Sequence, residues 1–175
     1  MSSIIKVNTY QDANGNALFS SDGSGNVTLS ASDLKSTPAF QVKLSGNQSI
    51  SAASHTKIQF NQEIFDTDTA YDNATNYRFT IPSGEGGKYF VYAQAQMNTS
   101  AYIELKMDKN GAELFRTHDA NSAVNNSRGL WIGGVDIASA GDYYEVYFFQ
   151  DSGASQNVVG NNSRTFFGAY KLIGA

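Results

Sequence analysis

From Tyr89 to Met97 the chain reads YFVYAQAQM, and apolar side chains fall on both sides of its alternation. Successive residues of a strand point to opposite faces. Tyr89, Val91, Ala93, Ala95 and Met97 therefore share one face, while Phe90 and Tyr92 lead the other. The pattern recurs in DYYEVYFFQ, where Tyr143, Tyr147 and Phe149 oppose Tyr144, Val146 and Phe148, and in TFFGAYKL, where Phe166 and Phe167 diverge. A two-sheet sandwich buries only the inner face of each sheet. Aromatic outer faces would leave an apolar patch that soluble monomers avoid. Two covers remain open. Bulges or barrel curvature bring both faces inside, or the outer faces pack around a symmetry axis, where tyrosine suits a setting that needs both a ring and a hydroxyl.

The rest of residues 37–175 predicts further strands. AFQVKLS, TKIQF, YRFTI, AYIELKMDKNG, AELFRTH and GLWIGGVDI are separated by turn chemistry, and no sustained helical period occurs. In AYIELKMDKNG, Ile103, Leu105 and Met107 point one way and Glu104, Lys106 and Asp108 the other. Asn110-Gly111 is the strongest hairpin signal. Gly, Asn, Ser and Thr replace charge, which is 16% of the chain against roughly 25% in a typical globular protein. Many short strands at this spacing predict an all-β, two-sheet jelly-roll sandwich.

Residues 1–36 differ in texture. IIKVN, NALFS and NVTLS alternate between Asn14-Gly15 and Asp22-Gly23-Ser24-Gly25, but their apolar content is too thin for an independent core. Two readings stand: a floppy arm, or a β-rich arm that orders against copies of itself or a docking partner.

Several function classes find no support. Net charge is −4 with no basic cluster, so the electrostatic footprint of a nucleic-acid binder is missing. Zero cysteines exclude disulfides and thiolate sites. No stretch has the length of a membrane span, and MSSIIKVNTYQD does not read as a secretory signal peptide, which fits assembly inside a producing cell. The chain's two histidines, His55 and His118, cannot form a histidine-rich metal cluster. DTDTAYDN supplies Asp66, Asp68 and Asp72 and starts like a calcium loop, yet Tyr71 and Tyr77 occupy the positions for its Gly and Glu. GEGGK is not a phosphate loop, since Pro82 stands where the first Gly belongs. No Gly-x-Ser-x-Gly elbow occurs. The expectation is a non-enzymatic protein without catalytic residues or a cofactor. A looser structural calcium site at Asp66, Asp68 and Asp72 is the only metal candidate.

Residues 38–174 resemble the globular head of the complement component one-q family, within the tumour-necrosis-factor jelly-roll superfamily. TPAFQVKLSG is similar to its opening strand. The stretch from Lys57 to Gln94 is similar to its central signature through Phe60, Asp66, Tyr71, Asp72, Phe79, Gly87 and Tyr89. LKMDKNGAELFR resembles its Lys-Asn-Gly hairpin, GGVDIASAGDYYEVYF its Gly-Asp strand start, and SRTFFGAYKLIGA its terminal Phe-x-Gly strand. Val91 and Ala93 stand where the family carries aromatics. Residues 1–36 resemble N-terminal segments of virion proteins of marine and cyanobacterial phages, through IKV, QD and GSGNVT.

The resemblance implies a homotrimeric virion fibre or knob on tail or capsid, assembled in the host cytoplasm. Residues 1–36 would form an attachment or trimerisation arm that meets other virion proteins. Residues 37–175 would form the head, with a host-surface glycan or protein as its further partner, and neither nucleic acid nor membrane insertion. Tyr89, Val91, Tyr92, Tyr144, Tyr147, Phe149 and Phe166 are the expected core and trimer-contact residues. The alternative is a secreted or surface bacterial trimer that binds carbohydrate or protein.

Overall fold

The computed structural model describes residues 7–29, 38–120, 127–160 and 163–173. The boundary expected between residues 36 and 37 lies outside them. Among the described residues, sixteen strands make three sheets. A small sheet contains β1 (Thr9–Gln11), β2 (Ala17–Ser21) and β3 (Val27–Leu29), paired antiparallel in that order.

The other two sheets form the jelly-roll sandwich. The first is organised on β10 (Gly87–Asn98). Along one of its edges β13 (Ser127–Ala138) pairs from Gly87↔Ala138 to Asn98↔Ser127. The other edge takes β16 (Phe166–Lys171) through Tyr89–Gln94 and β15 (Gln156–Val158) at Met97. β4 (Ala39–Lys43) and then β7 (Gln62–Asp66) continue outward from β16, and β5 (Gln48–Ile50) pairs with β15. The second sheet runs β12 (Ala112–Asp119), β11 (Ile103–Lys109), β14 (Tyr143–Gln150), β9 (Arg78–Thr80) and β8 (Tyr71–Asp72), with β6 (Thr56–Lys57) also on β14.

Turn chemistry sets these pairings. Asn110 and Gly111 both have positive φ, 53° and 78°, and join β11 to β12 as a two-residue loop. That backbone matches the right-handed twist of the flanking strands, which is why Asn-Gly is favoured there. The short strands β5, β6, β8 and β15 carry no comparable periodic signal.

Between the sheets lies one apolar core. Phe40 stacks on Phe79 at 4.5 Å and meets Phe167 edge-on at 5.0 Å. Tyr89, Val91, Ala93, Ala95 and Met97 of β10 face Ile103, Leu105 and Met107 of β11 and Tyr144, Val146 and Phe148 of β14, all buried. Each such Val, Leu or Phe contributes about 1.5–3 kcal/mol by burial. The residues that the alternation groups on one face of each strand are thus the ones that meet in this core.

Candidate functional site

The outer faces of the two sheets are built from different chemistry. In the first sheet, direct cross-strand partners share a face. Phe90 lies opposite Val135 and Tyr170, Tyr92 opposite Gly133 and Gly168, and Gln94 opposite Trp131 and Phe166. Ile137 is 70% exposed, Val135 56%, Trp131 52% and Tyr170 40%. The edge strand β7 adds Phe65, opposite Gln41, and Ile64. Apart from Ile173, every exposed large apolar residue described between residues 38 and 173 belongs to this sheet.

These rings lie down on the sheet rather than standing off it. A Cβ at Gly168 would come 2.5 Å from the Tyr92 hydroxyl, and one at Gly133 would come 3.0 Å from the Trp131 ring and the Tyr92 Cβ. Phe90 contacts Tyr92 at 5.9 Å and Tyr170 at 5.7 Å between centroids, and Tyr92 contacts Phe166 at 6.1 Å. Partial burial, with a smaller effect of Tyr170, raises the Tyr92 phenol above its ordinary pKa. Toward the β7 edge, Phe166, Ile64, Gln41, Lys43 and Ser163 line a cavity of about 420 Å³. The result is an apolar surface with pre-set rings, bordered by Lys88 opposite Ile137 and Lys43 opposite Phe166.

The second sheet also carries outward aromatics, Tyr143, Tyr147 and Phe149, but its own charged side chains cover them. Lys106 sits 5.1 Å and Lys57 5.9 Å from the Tyr147 ring centroid. Lys57 pairs with Glu145 at 2.6 Å, and Lys106 with Asp108 at 2.9 Å. Arg78 lies 4.4 Å from the Tyr143 ring centroid. Phe149 is flanked by His55 and Tyr102. At the centre of this end is Glu104, whose side chain is 5% exposed and accepts from His55 at 2.5 Å and Tyr102 at 3.0 Å, with Arg116 at 3.4 Å. Burial alone would raise the Glu104 carboxyl, but the bonds from His55 and Tyr102 and the Arg116 charge hold it below its ordinary value. Both histidines thus belong to a structural polar cluster, with His118 stacked on Tyr102.

The residues expected in the core or at a trimer contact divide three ways. Tyr89, Val91 and Tyr144 are in the core, with Tyr144 donating to Asp136 at 2.6 Å. Tyr92 and Phe166 are on the flat apolar face. Tyr147 and Phe149 are half-buried on the charged face. Trp131, Val135 and Ile137 were not among the expected residues, although the alternation in LWIGGVDI carries their signal.

Asp66, Asp68 and Asp72 serve their own loop. Asp66 accepts from the backbone N–H of Asp68 and Tyr71, and Asp68 from the Thr67 hydroxyl. Asp72 accepts from the backbone N–H of Thr75, Ala74 and Asn76 and from the Asn76 amide, which pull its carboxyl down to about 2. Among the described residues, no group of three or more His, Asp or Glu is placed to hold a metal ion. Asp68 and Asp72, with Asn73, Arg78 and Thr80, line an open cleft of about 560 Å³.

Neither a family model nor a curated protein matches this sequence. Its shape does have relatives. Eiger TNF from S. frugiperda aligns with a TM-score of 0.62 at 14% identity, over 78% of this chain and 93% of that one. Murine APRIL at pH 8.0 gives 0.60 at 16% identity, over 77% and 98%. The globular domain of zebrafish complement 1qA protein gives 0.57 at 20% identity, over 78% and 98%. These likenesses support the jelly-roll fold shared by tumour-necrosis-factor-like proteins and complement one-q heads.

Proposed function

We propose that the chain is a non-enzymatic homotrimer and a structural component of a phage particle. In this reading it is a fibre or knob on tail or capsid, attached through residues 1–36, with its head free to adhere to the host surface. One observation supports assembly above all: the first sheet leaves Trp131, Val135, Ile137 and Tyr170 exposed together on one flat face. Contiguous apolar faces of this kind mark interaction surfaces. Charge depletion with aromatic enrichment is the composition of an interface core. A copy of the same chain is a partner always present at equal concentration, and closed symmetric assemblies of this type are the common form of soluble oligomers.

The number three and the virion setting rest on the sequence resemblance of residues 38–174 and 1–36. Binding rather than catalysis fits the two carboxylates with lowered pKa described above, because Glu104 and Asp72 are occupied by structural donors. Mass spectrometry of purified particles tests the setting: the chain should be found at stoichiometric abundance, and particles that lack it overturn the virion reading. A glycan array and a host-cell binding assay test adhesion, with retention of the trimer on a surface component as the expected outcome.

A further inference from the structure

Among the described residues the small N-terminal sheet is a repeat with one paired apolar face and no second layer, and Leu18 falls unpaired at the irregularity between β1 and β2. Asp12-Ala13-Asn14-Gly15-Asn16 and Asp22-Gly23-Ser24-Gly25-Asn26 are two copies of one turn. In each, the Asp Oδ1 accepts the backbone N–H of the second and fourth following residues, and its Oδ2 accepts the Asn amide. In each the third following residue is a glycine with positive φ, 84° at Gly15 and 92° at Gly25. The turns hold β1, β2 and β3 in a meander with Tyr10↔Phe19, Phe19↔Leu29 and Ser21↔Val27 in register. Tyr10, Phe19, Val27 and Leu29 therefore share one face, and Thr9, Ser20 and Thr28 the other. Tyr10 and Phe19 stack at 4.5 Å, yet Tyr10 remains 42% and Val27 59% exposed. Among the described residues the three strands pair only with one another.

We infer that the face formed by Tyr10, Phe19, Val27 and Leu29 packs against the same face of sister arms, so that the N-terminal sheets form their own bundle within the assembly. This rests on the trimer reading above. Three observations select a sister copy over an unrelated partner. First, a sheet that is apolar on one face has to bury that face against another element, so the occupant has to accompany the arm at all times. Second, the only charged residues between residues 7 and 29 are Asp12 and Asp22. Both lie in the turns and are tied to their own Asn and backbone donors, so the face offers nothing ionic for a foreign surface to read. Third, each arm is covalently continuous with a head whose apolar sheet face is the proposed contact. Joining the heads brings the arms together at an effective concentration on the order of millimolar. The polar face with Thr9, Ser20 and Thr28 then remains available for attachment to the particle.

The chain has no cysteine, so single-cysteine variants report without background. Full-length Val27→Cys and Thr28→Cys are each treated with a short bis-maleimide, alongside sedimentation of the unmodified chain. The two positions are sequence neighbours on opposite faces and are exposed at the surface of one chain. The inference predicts covalently joined chains for Val27→Cys at a yield on the order of ten times that of Thr28→Cys. A trimer in which the two yields are equal overturns the arm bundle and leaves the head assembly standing; a partner from the particle then becomes the occupant. A monomeric unmodified chain overturns the trimer reading and the arm bundle with it.

Discussion

The two outer faces of the sandwich start from the same pattern, outward aromatics on a central strand, and end in opposite states. On β14, Tyr143, Tyr147 and Phe149 are roofed by Arg78, Lys57, Lys106, His55 and Tyr102 from the same chain. On β10, Phe90 and Tyr92 are flanked by Gly133, Gly168, Val135 and Tyr170, and among the described residues no ion pair lies across them. A long charged side chain covers an aromatic ring while keeping its own head wet. Glycine does the reverse, because it lets the ring lie flat and leaves the surface bare. The neighbours across the register, rather than the strand's own sequence, decide whether an outward aromatic is finished or waiting.

Breaking the bare face should have the largest effect. Trp131→Asp replaces the largest exposed ring of this face with a carboxylate, beside Gln94. Interface anchors of this type carry at least about 2 kcal/mol each, and the substitution acts in every copy. Light scattering should report dissociated chains with an unchanged β circular dichroism signal.

The opposite face should respond in stability and not in mass. Glu104→Gln removes the charge shared by His55 and Arg116 and puts an amide donor in the buried position where their bonds need an acceptor, a cost of about 1–3 kcal/mol. Denaturant titration should show the loss at constant oligomer size. A smaller effect sharpens the contrast. Gly133→Ala drives a methyl into Trp131 and Tyr92 and should weaken association by about 1 kcal/mol through the lifted rings. Sedimentation at several concentrations reads that shift. The same change made at an exposed, uncrowded glycine off this face, such as Gly46 in the loop after β4, should leave it alone.

The smallest effect is a pH effect on the Asp72 loop. Its carboxyl is held at about 2, below the ordinary 3.8, by backbone and side-chain donors. A depressed carboxyl contributes stability that is complete above pH 3.8 and is lost as pH falls toward about 2. Hydrogen exchange at Ala74, Thr75 and Asn76 should therefore quicken in that window. No carboxyl-linked change is expected there above pH 5.

Much of the fold was legible in the chain. The period of two in YFVYAQAQM and IELKMDK sorted residues onto shared faces without saying which is inward, and Asn110-Gly111 placed its hairpin. The cover of each outer face was not, because it depends on cross-strand register between distant residues. Lys57 reaches Glu145, and His55 reaches Glu104, across 88 and 49 positions. A local signal was nevertheless present. Glu104, Lys106 and Asp108 charge the outward positions of β11, whereas LWIGGVDI presents Trp131, Val135 and Ile137 in alternation. The strands β5 and β15 stayed hidden because three residues are too few to show a period. The N-terminal turns were visible as Gly-rich signals, but their common Asp-to-Asn hydrogen-bond set required coordinates.

Sedimentation equilibrium of the full-length chain at micromolar concentration tests the central claim most directly, that copies of this chain cover the flat face of the first sheet. The account predicts a single species of three times the 18.9 kDa chain mass. It also predicts that tryptophan fluorescence, which reports Trp131 alone because the chain has one Trp, is shielded from an aqueous quencher. A species of 18.9 kDa with Trp131 freely quenched contradicts it.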